Sequence, residues 1–302
     1  MEISNNSWPK VSIVTVNYNG LEFTRKLLLS LAKITYPNYE VIVVDNASKE
    51  SPAVLTEEFP SVKLVLNPIN EGFAGGNNRG FEVANGEYLL MLNNDTEVPP
   101  NFLEPLVSRF QSDERIGVVC PKILYFDNPK IIQYAGYTPI HPITGQGFGI
   151  GFNEIDQGQY DKACETARAH GAAMMISRRA FDTVGPMFED YFLYYEEMDY
   201  NASISKAGFL TWYEPESYIL HKESMTVGAF SEMKTYYMSR NRLMYMRRQI
   251  DWPFFGLALL YHLLIAVPKN SLVLITHRKF SHLRAFWRGL IWHLKSNPTD
   301  KF

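Results

Sequence analysis

Cysteine is almost missing: Cys120 and Cys164 are the two thiols in 302 residues. Two cysteines build neither a disulfide framework nor a multi-cysteine zinc centre, and Cys120, following Val118 and Val119, has the neighbours of a core strand residue. Both are read as packing. The first ten residues, Met1 to Lys10, lack the basic-then-apolar order of a secretory signal, so the body is expected to face the cytoplasm. There is no internal repeat and no low-complexity tract, which sets aside solenoids and unstructured linkers. A full membrane-spanning run is wanting too. Trp252 to Val267 is mostly apolar but only sixteen residues long, contains His262 and meets Pro268, against about 20 residues for a spanning helix.

Apolar residues make up 46% of the chain, enough for a full core in one large domain or one domain with an appendage. The net charge of −3 hides an asymmetry. From Lys234 to Phe302 twelve Lys/Arg face only Asp251 and Asp300, so this tail carries +10 and residues 1–233 carry −13. The two parts are expected to meet different surroundings. They are read as a catalytic domain over 1–233 and a helical, basic, amphipathic region over 234–302.

Val11 to Asn17 is a short β-branched run that ends at Asn17-Tyr-Asn-Gly20, and Leu21 to Leu31 repeats apolar residues at helical spacing. A second strand spans Glu40 to Asp45, a helix Ser51 to Phe59, a third strand Val62 to Leu66, a helix begins near Gly72, and a fourth strand is Tyr88 to Asn93. These strands are continuously apolar, as when helices cover both faces of a mainly parallel sheet. The expected fold is α/β and of nucleotide-binding type, with ligands beyond the carboxyl ends of the strands. Gly- and Pro-rich segments from Asn128 to Gly158 read as long loops able to cover a site. Ala172 to Ser177 reads as a strand, Asp199 to Lys206 as a helix start, and Thr211 to Leu220 as a strand closing at His221.

The polar residues at strand ends are therefore the candidates. Asp45 closes the second strand, where a carboxylate can accept from the imide N–H of uracil or thymine; a turn or helix-cap role fits equally. Asn70-Glu-Gly72-Phe-Ala-Gly75-Gly76-Asn77-Asn78-Arg79-Gly80 has four glycines in nine residues at a helix start, which suits an anion cradle, with Arg79 adding charge; an ordinary turn is the alternative. The run does not follow the first strand and lacks G-x-G-x-x-G, which disfavours a dehydrogenase. Asn93-Asn94-Asp95 follows the most apolar strand, so Asp95 projects into the crevice, where Mg²⁺ or Mn²⁺ would complete its oxygen shell from a diphosphate and water. Glu196, Glu197 and Asp199 crowd beside Tyr194 and Tyr195, a setting that raises a carboxyl pKa and suits a general base; a solvated acidic helix start is the plain alternative. His221, at the end of its strand, is displayed toward metal or phosphate.

Together these motifs resemble the family-2 glycosyltransferases of the GT-A fold, the rhamnosyltransferase-like and galactofuranosyltransferase-like branch above all. The resemblance runs from Val11 to His221, with a family-like tail to about residue 295, and rests on seven motifs in order: Val-Asn-Tyr-Asn-Gly20, Val-Val-Asp45-Asn-Ala-Ser, the Asn70–Gly80 run, Leu-Asn-Asn-Asp95, Gly171-Ala-Ala-Met-Met-Ile-Ser-Arg178, Glu-Glu-Met-Asp199 and His221. It implies an inverting enzyme, dependent on Mg²⁺ or Mn²⁺, that moves a sugar from a dTDP- or UDP-sugar to a glycan or lipid-linked hydroxyl in cell-envelope polysaccharide synthesis. The Gly-Phe-Ala-Gly-Gly-Asn-Asn element leans toward dTDP-rhamnose. By position, Asn17, Asp45, Gly75, Gly76, Asn78, Arg79, Asn93, Asn94, Gly171 and Ala172 would bind the donor, Asp95 and His221 the metal, and Glu197 would be the base, with Asp199 or Glu196 sharing the role. The chain departs from the family at Asn93 and Glu197, where relatives have Asp, and at Ser203, where they commonly carry Arg.

In the tail, basic residues from Arg247 to Arg288 interleave with Phe286, Trp287, Leu290, Ile291 and Trp292. Two arrangements stay open: a helix lying on an anionic membrane surface at the inner face of the plasma membrane, or a buried helical pair covering the catalytic domain. Nucleic acid is disfavoured, since the charges alternate with apolar runs. The rival functions are a catalytically silent nucleotide-sugar-binding protein and a sugar-phosphate nucleotidyltransferase. The latter expects a basic Gly-rich loop after the first strand, where Asn17-Tyr-Asn-Gly20 stands instead.

Overall fold

The computed structural model describes residues 8–222 and 231–294. Residues 295–302 of the expected tail, and 223–230 before Lys234, lie outside them. Strand β1 (Val11–Asn17) leads into α1 (Leu21–Leu31), β2 (Tyr39–Asp45), α2 (Val54–Glu58), β3 (Lys63–Leu66), α3 (Gly72–Val83), β4 (Tyr88–Leu92) and β5 (Thr96–Glu97). Then come α4 (Leu103–Ser112), β6 (Ile116–Tyr125), β7 (Ile132–Tyr134), β8 (Cys164–Glu165), β9 (Ala173–Ser177), α5 (Arg178–Val184), α6 (Glu196–Lys206) and β10 (Leu210–His221). The chain closes with α7 (Glu232–Gln249), α8 (Phe254–Tyr261), a π turn (His262–Ala266), α9 (Val267–Thr276) and α10 (Phe280–Ile291).

The sheet runs β3-β2-β1-β4-β9-β6-β10-β5, with β7 on β6 and β8 on β10. Strands β3, β2, β1 and β4 are mutually parallel, and β6 and β10 share their direction through β9, which is antiparallel to both β4 and β6. This is the α/β sheet of mostly parallel strands read from the sequence, with helices over both faces. The apolar runs account for it: β1, β2, β4, β6 and β9 are buried along almost their whole length. The long β6 is legible in sequence only around Cys120.

The register aligns the ends that matter. Asn17 on β1 stands beside Asp45 on β2, and Leu92 on β4 beside Ala173 at the start of β9, so the turns after β1, β2 and β4 and the segment entering β9 share one rim. Against that sheet α3 lies unusually close. A Cβ at Gly80 would fall 2.2 Å from Val14 Cγ1, and one at Gly76 would fall 2.9 Å from Val16 Cγ1.

Three expectations change. The segment from Asn128 to Gly158 is no open loop: it holds β7 and is tied down by Lys122, whose buried ammonium pairs with Asp156 and Asp161. Cys120 is buried as expected, whereas Cys164 is exposed on β8 rather than packed. The apolar helix does not stop at Pro268. It continues to Thr276 because the π turn opens the hydrogen-bond ladder where proline has no N–H to give.

Candidate active site

Asp45 is held rigidly at the end of β2. Its Oδ1 accepts from Asn17 Nδ2 at 2.8 Å and its Oδ2 from the Ser48 N–H at 3.0 Å. Asn17 is wholly buried and fully used: Nδ2 also reaches Ser48 Oγ, and Oδ1 accepts from Thr24 Oγ1 at 3.0 Å. Asn17, expected to bind the donor, thus positions Asp45 and the β1–α1 corner in this structure. Each carboxylate oxygen of Asp45 keeps a lone pair, so it can still accept from a base.

The glycine-rich run also changes meaning. Gly75 and Gly76 let α3 sit against Glu71, Val16 and Asn46, and they make no open cradle. At the helix start the Gly72 N–H is taken by Asn70 Oδ1 (2.9 Å) and the Phe73 N–H by the Phe192 carbonyl (2.7 Å). Asn78 is buried and spans Met187, accepting from its N–H and donating to its carbonyl, and donates as well to Glu189 Oε1. Arg79 forks onto Glu71 with two 2.9 Å bonds. In this structure Gly76 packs on the sheet at Val16, Gly75 packs on Glu71 and Glu189, and Asn78 and Arg79 are engaged by protein groups, so the run expected to bind the donor serves the packing of α3.

The turn after β4 is different. The Asn93 N–H donates to the Ala172 carbonyl at 2.9 Å, and Asn94 Nδ2 donates to Thr24 Oγ1 at 3.0 Å, which locks the turn between β9 and α1. Asp95 Oδ1 lies 3.2 Å from His221 Nε2, and both side chains are nearly buried. The other ring nitrogen of His221 is 2.7 Å from Gln133 Oε1, a contact the sequence reading missed because β7 lies inside an irregular stretch. With Nδ1–H engaged by that oxygen, a neutral His221 turns its Nε2 lone pair toward a carboxylate oxygen. Two electron donors at such a separation invite a proton or a cation. Adjacent ligands of an octahedral Mg²⁺ at about 2.1 Å lie about 3 Å apart, so the pair fits a divalent ion whose remaining ligands come from phosphate and water. Among the described residues no group of three His, Cys, Asp or Glu could hold a metal without such help.

His170, also absent from the sequence reading, stands next to this pair, its ring centroid 6.1 Å from that of His221 and stacked on Tyr137. Its Nδ1 accepts from the Ala172 N–H at 3.0 Å, and burial, with His221 and Arg168 nearby, drives its pKa down to about 3. It is a neutral ring that shapes the rim.

Gly171 connects this rim to the acids. A Cβ there would sit 3.5 Å from Glu197 Cγ and 3.8 Å from its Cδ, ordinary contact distances, so Gly171 lies directly against the Glu197 side chain. Burial raises the Glu197 pKa, and the Arg168 guanidinium opposes that rise. Arg168 lies 3.9 Å from the Tyr137 ring centroid, and its Nε and Nη1 are buried without hydrogen-bond partners. Glu196 is buried deeper, its Oε2 unpartnered, and burial reinforced by the Glu197 charge pushes it up to about 8.

Asp199 must be removed from the base candidates. Its carboxylate is saturated by the Tyr191 hydroxyl (3.0 Å), the Arg248 guanidinium (3.0 and 3.2 Å) and Gln249 Nε2 (2.8 Å). This also explains Ser203, whose hydroxyl meets Gln249 while Arg248, from another helix, supplies the cation. The helix α7 does more. Asn241 Nδ2 lies within reach of the carbonyls of Tyr191 (3.0 Å), Leu193 (2.8 Å) and Tyr194 (2.7 Å). It thereby holds the loop in which Phe192, Tyr194 and Tyr195 take positive φ just before α6. The basic tail expected to start at Lys234 thus begins inside a helix that builds the site.

The profile of "Glycosyl transferase family 2" matches residues 12–185, more than half of the chain. The chain belongs to that family. It is a family-2 glycosyltransferase with the GT-A fold, which sets aside the nucleotidyltransferase. It is 28% identical over 195 residues to the low-salt glycan biosynthesis hexosyltransferase Agl10 of Haloferax volcanii, covering 63% of this chain and 60% of that one. It is 23% identical over 288 residues to the N-acetylglucosaminyl-diphospho-decaprenol L-rhamnosyltransferase of Mycobacterium tuberculosis, covering 84% and 92%. Among solved structures, GalNAc-T7 with UDP, GalNAc and Mn²⁺ superposes with a TM-score of 0.60 at 18% identity, covering 77% of this chain and 49% of that one. At that identity the likeness is one of fold.

Proposed function

We propose that this glycosyltransferase moves a sugar from a dTDP- or UDP-sugar onto a hydroxyl of a glycan or lipid-linked glycan, with inversion at the anomeric carbon, in cell-envelope polysaccharide synthesis. The observation that carries the reading is Gly171, which packs on Glu197 and whose neighbour Ala172 is bonded to the turn bearing Asp95. Base and metal ligands thus share one rim.

Asp45 accepts from the donor's base, while Gly171 and Ala172 border the sugar. Asp95 and His221 would hold Mg²⁺ or Mn²⁺, which would supply positive charge to the departing diphosphate. Glu197 takes the proton from the acceptor hydroxyl as its oxygen attacks the anomeric carbon opposite the diphosphate; the carbon–oxygen bond to the diphosphate breaks and the product inverts. The raised pKa of Glu197 suits proton acceptance near neutral pH, and Arg168 keeps it ionisable. Glu196, pushed up to about 8, is largely protonated there and is the weaker candidate.

Rhamnose from dTDP-rhamnose is the first donor to test, as the sequence element at Gly72–Asn78 and the mycobacterial relative's name both point to it. Nucleotide sugars are screened with Mg²⁺ and Mn²⁺ for thermal stabilisation, then for acceptor-dependent nucleotide release, with the product anomer read by NMR. A retained anomeric configuration, or release by a folded Glu197→Gln chain at the wild-type rate, overturns the mechanism.

A further inference from the structure

From Trp252 to Leu294 the chain has no Asp or Glu, and it carries Lys269, Arg278, Lys279, Arg284 and Arg288. Within it Phe254–Thr276 is a continuous 23-residue helical stretch, long and apolar enough to cross a membrane by length and composition, yet only 22% of its most apolar window is buried. The two sides of the stretch differ. Ala258, His262 and Ala266 are buried, while Leu257, Leu260 and Leu264, at helical spacing, are 48%, 56% and 71% exposed. A contiguous apolar face of this kind marks an interaction surface.

Helix α10 extends that face with charge added. Phe280, Arg284, Trp287 and Ile291 lie on one side of the helix and are all exposed. Its other side packs on α7: Ala285 lies with Tyr236 and Tyr237, and a Cβ at Gly289 would fall 2.2 Å from Ser239 Oγ. The buried helical pair expected from the sequence is therefore α7 with α10, and it leaves the leucine face uncovered.

The connections decide between crossing a membrane and lying on it. Before the stretch, Arg248 ties the chain to Asp199; after it, α10 returns to α7, and His293 Nε2 meets the Arg240 carbonyl at 2.8 Å. The 12 residues of α10 reach about 18 Å, against about 30 Å of hydrocarbon. A crossing would draw α10, with Arg284 and Arg288, into that hydrocarbon, where such charges are costly. Lying flat suits every part: leucines in the acyl boundary, Trp252 and Trp287 at headgroup level, and cations on anionic lipid. A second copy of the chain fits worse, because a two-fold contact would set these cations against themselves with no carboxylate in the stretch to offset them.

We propose that the exposed face of Phe254–Thr276 and α10 docks in the plane of an anionic lipid bilayer without crossing it. The docking neither uses nor requires the sugar-transfer mechanism. Helix α7, on which α10 packs, also holds the loop before Glu197 through Asn241, so one helix joins the docked face to the catalytic rim.

The full chain is sedimented with vesicles of phosphatidylglycerol and phosphatidylcholine in equal parts, and with vesicles of phosphatidylcholine alone. Binding to the anionic vesicles is expected, and it should weaken by about tenfold or more on phosphatidylcholine alone or in about 1 M salt, where the screening length falls to about 3 Å. Leu260→Ser with Leu264→Ser, and separately Lys269→Gln with Arg278→Gln and Arg284→Gln, are each expected to weaken binding by a similar factor at unchanged Tm. Equal binding to both kinds of vesicle, binding undiminished in high salt as for a crossing helix, or wild-type binding by either variant overturns the proposal. So does a wild-type dimer in light scattering that Leu264→Ser takes apart, since a second copy then covers the face. Should a multiple variant lose Tm, undiminished binding by Leu264→Ser alone, at a side chain 71% exposed, has the same force. Acceptor-dependent nucleotide release by a chain that binds neither kind of vesicle would leave sugar transfer standing and the docking refuted.

Discussion

The side-chain amide of Asn241 donates to the carbonyl of Tyr194 at 2.7 Å, forty-seven residues away in sequence and two residues before the acidic start of α6. Positive φ at Phe192, Tyr194 and Tyr195 costs about 1–3 kcal/mol each, and persists because the surroundings over-determine it. Asn241, wholly buried, holds it together with Arg240 on the Tyr191 carbonyl and the Phe73 N–H on the Phe192 carbonyl. Asn241→Leu should leave buried carbonyls unsatisfied and let Glu197 shift. We expect a stability loss of about 2 kcal/mol or more and a fall in kcat of about 10²-fold, with donor KM little changed. Denaturant unfolding and steady-state kinetics check both.

The three acids should separate by substitution. Glu197→Gln is expected to lower kcat by about 10²–10⁴-fold. Glu196→Gln, which mimics the protonated acid favoured near neutral pH, should keep most activity. Asp199→Asn should mainly lower Tm, since it releases Arg248 and Tyr191 rather than a proton acceptor. Equal losses of kcat in all three would refute this division.

Arg168 opposes the burial-driven rise of the Glu197 pKa. Removing that positive charge in Arg168→Met should raise the pKa further. Ionised Glu197 then appears only at higher pH, so the acid limb of kcat/KM is expected to move upward, in a pH–rate profile taken at saturating metal.

Gln133 orients His221 through its Nδ1. Groups that orient a metal-binding histidine typically carry about 10–100-fold in metal affinity or activity, and Gln133→Leu should raise the Mn²⁺ concentration for half-maximal activity by such a factor. An unchanged metal titration would remove His221 from the metal site.

Far from the site, Glu40 is buried and accepts from Ser12 Oγ (2.6 Å), Lys63 Nζ (2.7 Å) and the Asn85 N–H (2.8 Å). Burial alone would raise its pKa, but these bonds win and lower it from 4.5 to about 2. A carboxylate with a depressed folded pKa stabilises above its unfolded pKa and loses that contribution as pH falls. Between pH 4.5 and 2 the Tm of the wild type should therefore drop more steeply than that of Glu40→Gln.

Local chemistry made part of this protein readable without coordinates. Continuous apolar runs from Val11 to Leu92 define buried parallel strands, and polar residues that stop such runs must lie at a sheet edge, so Asp45, Asp95 and His221 could be singled out. Period and breakers are properties of neighbouring residues, and they survive folding. What hydrogen-bond partner a polar group finds is not such a property. Asp199 and Glu197 look alike in sequence, yet Arg248 and Gln249, about fifty residues later, saturate one and leave the other beside Gly171. The same holds for the glycines of α3, which read as an anion cradle until Val14 and Val16 are seen to fill the space. Gln133, His170, Arg168 and Asn241 emerged only in three dimensions, because each acts through a contact that the chain makes by returning on itself. The apolar stretch from Trp252 onward completes the contrast. Its composition was plain, but that the helix runs on past Pro268 to Thr276 with His262 buried in a π turn was decided only by the tertiary packing.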